Sequence, residues 1–177
     1  ATEIETQRIQ SDQTLEDAVA RVNAITSNIA SLNEQISKIK GAGDNAYEAM
    51  DRRDNLVREL STFIDITTFE GDDAQVTVLF NGAQPLVENH VSAKLEATLD
   101  PNYGNLRRVD LVHDSGVRHD ITQEMESGTI GGIIELRDET LPTLIEQLDN
   151  FAFDLATNFN AAHTTGLGLD GASGRDS

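Results

Sequence analysis

The sequence predicts an α+β fold: an elongated antiparallel helical bundle of three long helices with heptad-like seams, plus a small antiparallel β region inserted between helices two and three. Three observations predict it. Apolar residues recur at alternating spacings of three and four across residues 12 to 40. The period drops to two between residues 64 and 124. Helical spacing then returns from about Thr129 to His163. The two periods distinguish a helix stripe from a half-buried strand.

The first helix carries Leu15, Ala18, Val22, Ile25, Ile29, Leu32, Ile36 and Ile39 as one narrow seam. Its other faces are Ser, Asn, Gln, Thr, Glu and Lys, so the seam needs a partner. Gly41 and Gly43 stop it. A second helix is expected from about Asp44 to Phe63, capped by Asp44 or Asn45, with Asn45 and Glu48 resembling a capping box. Met50, Val57, Leu60 and Ile64 continue its stripe. The short Gly41-Ala42-Gly43 connection makes the two helices antiparallel neighbours.

Five alternating runs follow. They are Ile64-Ile66-Thr68, Val76-Val78-Phe80, Ala93 to Leu99, Val109-Leu111-His113 and Val117-His119-Ile121. Turn residues separate them at Gly71-Asp72-Asp73, Asn81-Gly82, Asp100-Pro101-Asn102 and Asp114-Ser115-Gly116, as hairpins require. The last helix keeps a heptad register through Ile134, Leu141, Leu144, Leu148, Phe151, Leu155 and Ala162, with Arg137 and Asn158 in the polar slots. Pro142 lies inside it and predicts a kink. The expected organisation is therefore a two-helix part of the rod at 1–63, the β region at 64–124, a returning helix at 125–165 and a Gly-rich loop at 166–177.

Composition excludes several function classes. The chain has 177 residues and a formal net charge of −18, from 13 basic and 31 acidic residues. Such a surface repels nucleic acid and anionic membranes, and neither is expected as a partner. No cysteine is present, so disulfides, thiolate nucleophiles and cysteine-held zinc are all absent. No stretch approaches the roughly 20 apolar residues of a membrane span, and no basic-then-apolar leader opens the chain. Tryptophan is absent and aromatics are 5%, so the core must rest on Ile, Leu and Val.

The chain contains one apparent phosphate motif. Gly166, Gly168 and Gly171 spell G-x-G-x-x-G. A dinucleotide fingerprint follows a strand and opens a helix. Here a helix precedes the glycines and presents the negative end of its dipole. The expected role of Gly166 is a helix stop, with His163 favouring that helix end when protonated. Asp170 and Asp176 lack the ligand spacing of a calcium loop. His113 and His119 flank one turn without being opposed, and no third ligand accompanies them. No serine elbow occurs. These readings nominate no catalytic residue, no metal ligand and no cofactor, and the chain is expected not to be an enzyme.

Two arginines at seam positions stand out. Arg53 lies between Met50 and Val57, and Arg137 between Ile134 and Leu141. One reading lays their stems along the groove with the heads in water. The other places them in buried or interfacial ion pairs with Asp51, Asp54, Asp138 or Glu139, fixing helix register.

Two stretches carry a resemblance: MDRRDNLVRELSTFIDITTFEGDDAQVTVLFNGAQPLVE, and SGTIGGIIELRDETLPTLIEQLDNFAFDLATNFNAAHTTGLGLDG. With the seam helix before them, they resemble the bacterial flagellar hook-associated protein 1 family, the first hook–filament junction proteins. The matching positions are Arg53, Asp54 and Leu56; Gly131, Gly132, Arg137 and Asp138; and Phe159, Asn160, His163 and Gly166. The resemblance implies a structural protein of the flagellum, extracellular and exported through the flagellar channel without a cleaved signal peptide. It implies copies of itself in a ring, the hook protein and the next junction protein as partners, and an export chaperone for a C-terminal region. It also implies a central fragment without either terminal region, in which the loop after His163 leads to outer domains. The helices would act as a stiff axial rod, and the β region would protrude to touch neighbouring subunits. The competing readings are another flagellar axial protein, either flagellin or the second junction protein, and a non-flagellar coiled-coil interaction module.

Overall fold

The computed structural model describes residues 2–71, 74–113 and 115–165. Gly166 and the loop at 166–177 lie outside the described residues, as do Asp72, Asp73 and Asp114 of the expected turns. The fold is mixed helix and sheet, with two antiparallel sheets. Helix α1 (Thr2–Gly41) is 40 residues long and begins ten residues before the expected start. Helix α2 (Tyr47–Phe63) returns antiparallel to it, since Arg21 pairs with Glu59 and Arg53 reaches Asn33. The expected cap at Asp44 or Asn45 is not formed. The N-cap is Ala46, with no side-chain hydrogen bond.

The first sheet has the order β1 (Ile66–Glu70), β2 (Val76–Phe80), β3 (Gln84–Glu88), β4 (Val91–Ser92). The second has the order β5 (Lys94–Asp100), β6 (Leu106–Val112), β7 (Arg118–Asp120). Asn81 and Gly82 both take positive φ and turn β2 into β3. Strands β3 and β4 are absent from the sequence expectation. Pro85 and a bulge between Val78 and Leu79 bury Leu86 and Val87 side by side, so the alternation that marks a strand is lost.

The β region is not an excursion from a bundle. Both sheets turn apolar faces toward α1: Val76, Val78 and Phe80 from the first, Leu95, Val109 and Leu111 from the second. They join Leu15, Val19, Val22, Ile25 and Ile29 of α1, Leu60 of α2 and Ile130 in one cluster. That cluster runs across both boundaries expected at 63/64 and 124/125. The physical reason is coverage, because two half-apolar sheets and a helix seam each need a dry partner and find one in the other. The buried stripe of α1 is correspondingly wider than the seam, taking in Val19, Thr26, Ala30 and Asn33. A smaller cluster around Ile36, Ala46, Ala49 and Ala74 closes the end near the α1–α2 turn.

The third long helix of the expected bundle is divided. Helix α3 (Gly128–Glu135) is followed by a π turn (Leu136–Thr140) and then α4 (Leu141–Thr165). In the π turn the Leu141 N–H donates to the Leu136 carbonyl. Pro142, which has no N–H to give, sits one residue beyond. Helix α3 is held close to α2 and to its own approach segment. A Cβ on Gly128, which has φ +71°, would lie 2.6 Å from the Phe63 carbonyl oxygen, and one on Gly131 would lie 2.7 Å from the Glu126 carbonyl carbon.

Candidate functional site

Two Arg-Asp pairs tie the helices to the sheets. Arg137 is 0% exposed. Its Nη1 donates to Asp12 Oδ1 of α1 and to the Arg107 carbonyl of β6, both at 2.7 Å. Its Nε and Nη2 form a fork on the two Asp138 oxygens at 2.8 and 2.7 Å. Asp12, itself buried, also accepts the Arg107 backbone N–H at 2.7 Å. Burial opposes the charge on Arg137, but the hydrogen bonds and charges of Asp138 and Asp12 outweigh it, so the guanidinium pKa is raised.

Arg53 of α2 repeats the plan on the first sheet. It is buried, donates to the Ala74 carbonyl just before β2, reaches Asn33 of α1 and lies 3.6 Å from Asp54. Each knot thus joins a buried arginine, the aspartate after it, a sheet-side carbonyl and a polar residue of α1. Of the two readings for these arginines, the heads-in-water one is excluded by burial. Asp138 and Asp54 are partners that the sequence named, while Asp12 and Asn33 are not.

Asparagines on α1 do related work. Asn33 donates to the Val76 and Asn89 carbonyls and accepts the Val76 N–H. Asn23 makes the same pair of bonds with the Leu95 backbone, both at 2.8 Å. Each amide satisfies backbone groups of a strand, and Asn33 also one of the turn between β3 and β4. Asp12, Val19, Thr26 and Asn33 stand seven residues apart on the buried stripe, a spacing that could have pointed to them but that their polar character masks.

The remaining seam residues divide into two groups. Leu15, Val22, Ile25, Ile29, Ile36, Leu60 and Leu141 are buried, and Leu32, Ile39 and Val57 are partly buried. Leu144, Leu148, Phe151 and Leu155 are exposed, Phe151 by 65%. Phe159 is 67% exposed and its ring lies 5.9 Å from that of His163. Asn160 and His163 are exposed as well, so the structure does not bring them to the arginine knots. By Arg137 the helical run has reached Arg8 and Asp12, whose side chains it touches. Residues 2–8 of α1 then offer only about 10 Å of further partner, against about 37 Å of α4. The α4 stripe therefore outruns its cover among the described residues.

A mixed-charge ladder covers the solvent side of the second sheet. Glu96, Asp110 and Asp120 lie in register across β5, β6 and β7. Arg118 bridges Glu96 at 2.7 Å and Asp110 at 3.0 Å, and Arg108 bridges Asp110 and Asp100. These cations offset the like charges placed opposite one another. Among the described residues no group of three His, Asp or Glu has the geometry to hold a metal ion, and no helix is long and apolar enough to cross a membrane. His119 is occupied with Glu124 at 3.0 Å.

Comparison with known proteins places this geometry. Residues 1–177 match the family described as the flagellar hook-associated protein FlgK helical domain. Flagellar hook-associated protein 1 of Salmonella typhimurium is 29% identical over 165 residues, covering 90% of this chain and 29% of that protein. The Escherichia coli protein of the same name is 27% identical over 164 residues, covering 90% and 30%. The hook junction protein FlgK of Burkholderia pseudomallei superposes with a TM-score of 0.77 at 25% identity, over 97% of this chain and 31% of that one. The chain thus spans about three tenths of the length of these relatives.

Proposed function

The chain belongs to the FlgK helical-domain family, and from that premise we propose that it is a structural segment of the bacterial flagellum, acting where the hook joins the filament. The observation that carries the mechanism is the exposed stripe of α4, Leu144, Leu148, Phe151, Leu155 and Phe159. It is a packing face. An amphipathic helix of this kind is stabilised by covering its stripe with another helix. In the assembled flagellum that cover is an axially packed helix, from a neighbouring copy or from the rest of the same polypeptide.

The remaining roles follow from the same reading. The long axis of α1 transmits load along the structure, and copies contact one another laterally in a ring. The solvent faces of the sheets serve those lateral contacts, with Phe69 exposed on β1 as an apolar point. Hook protein and the next junction protein adjoin the ring axially. Export is through the flagellar channel, with a chaperone engaging a C-terminal region of the longer protein, and the site of action is extracellular. The segment works without a cofactor and catalyses no reaction.

Deleting the gene for the parent protein tests the reading by electron microscopy. Cells are expected to keep hooks and lose filaments. Normal filaments on such cells would refute it.

A further inference from the structure

The direction of α4 needs a physical cause beyond apolar packing, which is confined to its first turns at Leu141 and Ile145. The core on this side ends with Ile130, Ile134 and Leu141. Past Leu141, Ile145 is half-buried, but Leu144, Leu148, Phe151, Phe153, Leu155 and Phe159 are exposed, so apolar burial thins out along α4. The long-range hydrogen bonds of this stretch converge on Arg137 instead. Arg8 Nε donates to the Arg137 carbonyl at 3.0 Å, while the Arg137 guanidinium grips Asp12 and the Arg107 carbonyl. Three elements, α1, β6 and the π turn, therefore meet at one residue.

The π turn makes that meeting possible. Its wider loop of backbone, closed by the Leu141-to-Leu136 hydrogen bond, leaves Arg137 fully buried and Leu136 exposed. A π turn is also a place where a helix changes direction. A planar guanidinium with both ends engaged accepts only a narrow range of orientations, unlike a point charge.

We propose that Arg137 and Asp12 form a latch that sets the direction in which α4 leaves the core. Both are positioning residues: they are buried within the chain and act by aiming the stripe that does the packing. The latch deepens the functional reading, because α4 carries that stripe, but its geometry belongs to the isolated chain and is tested there. A failure of the flagellar role leaves the test intact, and the reverse also holds.

The chain has no cysteine, so Gln7→Cys and Asp149→Cys place two spin labels on exposed sites of α1 and α4. Pulsed electron resonance on the labelled chain is expected to give a single narrow distance peak. Asp12→Asn and Arg137→Lys are each expected to replace it with a broad distribution while the far-ultraviolet dichroism stays folded. Val22→Ala, which removes core packing alone, is expected to lower the melting temperature and keep the narrow peak. Should Arg137→Lys fail to fold, Asp12→Asn and Arg8→Gln carry the test. A narrow peak retained in Asp12→Asn overturns the latch. So does equal broadening in Val22→Ala, which would make the effect general loosening.

Discussion

At the scale of single residues, the fold depends on polar groups placed inside it. Removing one member of a buried ion pair strands the other, at a cost of about 3 kcal/mol or more. Arg137→Met is expected to destabilise the chain by about 3 kcal/mol, read by urea denaturation. Raised stability with an unchanged oligomeric state would show that the knot has no structural role. Asp120 offers a second test. Burial alone would push its carboxyl up, but hydrogen bonds from the Thr122 hydroxyl and backbone and from Tyr103 outweigh it and hold the pKa below the ordinary value. A carboxyl depressed in the folded state contributes stability above its unfolded pKa and loses it as pH falls through the folded one. Thr122→Val is therefore expected to move the Asp120 titration upward in NMR, with less stability lost on the acid side. An unmoved titration would assign the shift elsewhere. At this scale the sequence was half legible. Arg53 and Arg137 stood out because a charge in a seam violates the pattern. Asp12 and Asn33 lie beside the narrow seam, and the second sheet-facing stripe that buries them is a tertiary fact.

At the scale of elements, two adjacent glycines in α3 separate close packing from open space. A Cβ at Gly131 would lie 2.7 Å from the Glu126 backbone, whereas nothing stands within 4 Å of one at Gly132. Gly131→Ala is expected to destabilise by about 1–3 kcal/mol through overpacking. Gly132→Ala is expected to stabilise by up to about 1 kcal/mol through helix propensity. Thermal melts showing the same sign for both would contradict the close approach. The end of α1, both ends of α2 and five of the seven strands among the described residues could be read within a few residues, because period and turn chemistry are local signals, whereas α1 starts ten residues before its expected start. Strand β3 could not, since a proline and a bulge erase its alternation. The sequence predicts a kink at Pro142, and the π turn that divides the helix ahead of it was not legible. A π turn depends on what Arg137 grips across the fold, and no local pattern encodes that.

At the scale of the whole molecule, the three-helix bundle was the part least legible in the sequence. Heptad spacing says that a seam must be covered and is silent about the cover. In α1 the cover is two sheets as much as a helix. In α4 from Leu144 onward it is missing among the described residues. The isolated chain is nevertheless expected to sediment mainly as a monomer at micromolar concentration. Glu146, Asp149 and Asp154 lie on α4, and pairing two copies of this helix sets acid against acid at a net charge of −18 per chain. A stable ring of isolated chains would contradict this.

Another helix covers the α4 stripe in the hook–filament junction, and a labelling experiment reads that cover. Phe151→Cys in the full-length parent protein provides a thiol on the stripe for a maleimide probe. Rapid labelling is expected in the isolated segment and protection in purified hook–filament junctions. Equal labelling in both would contradict it.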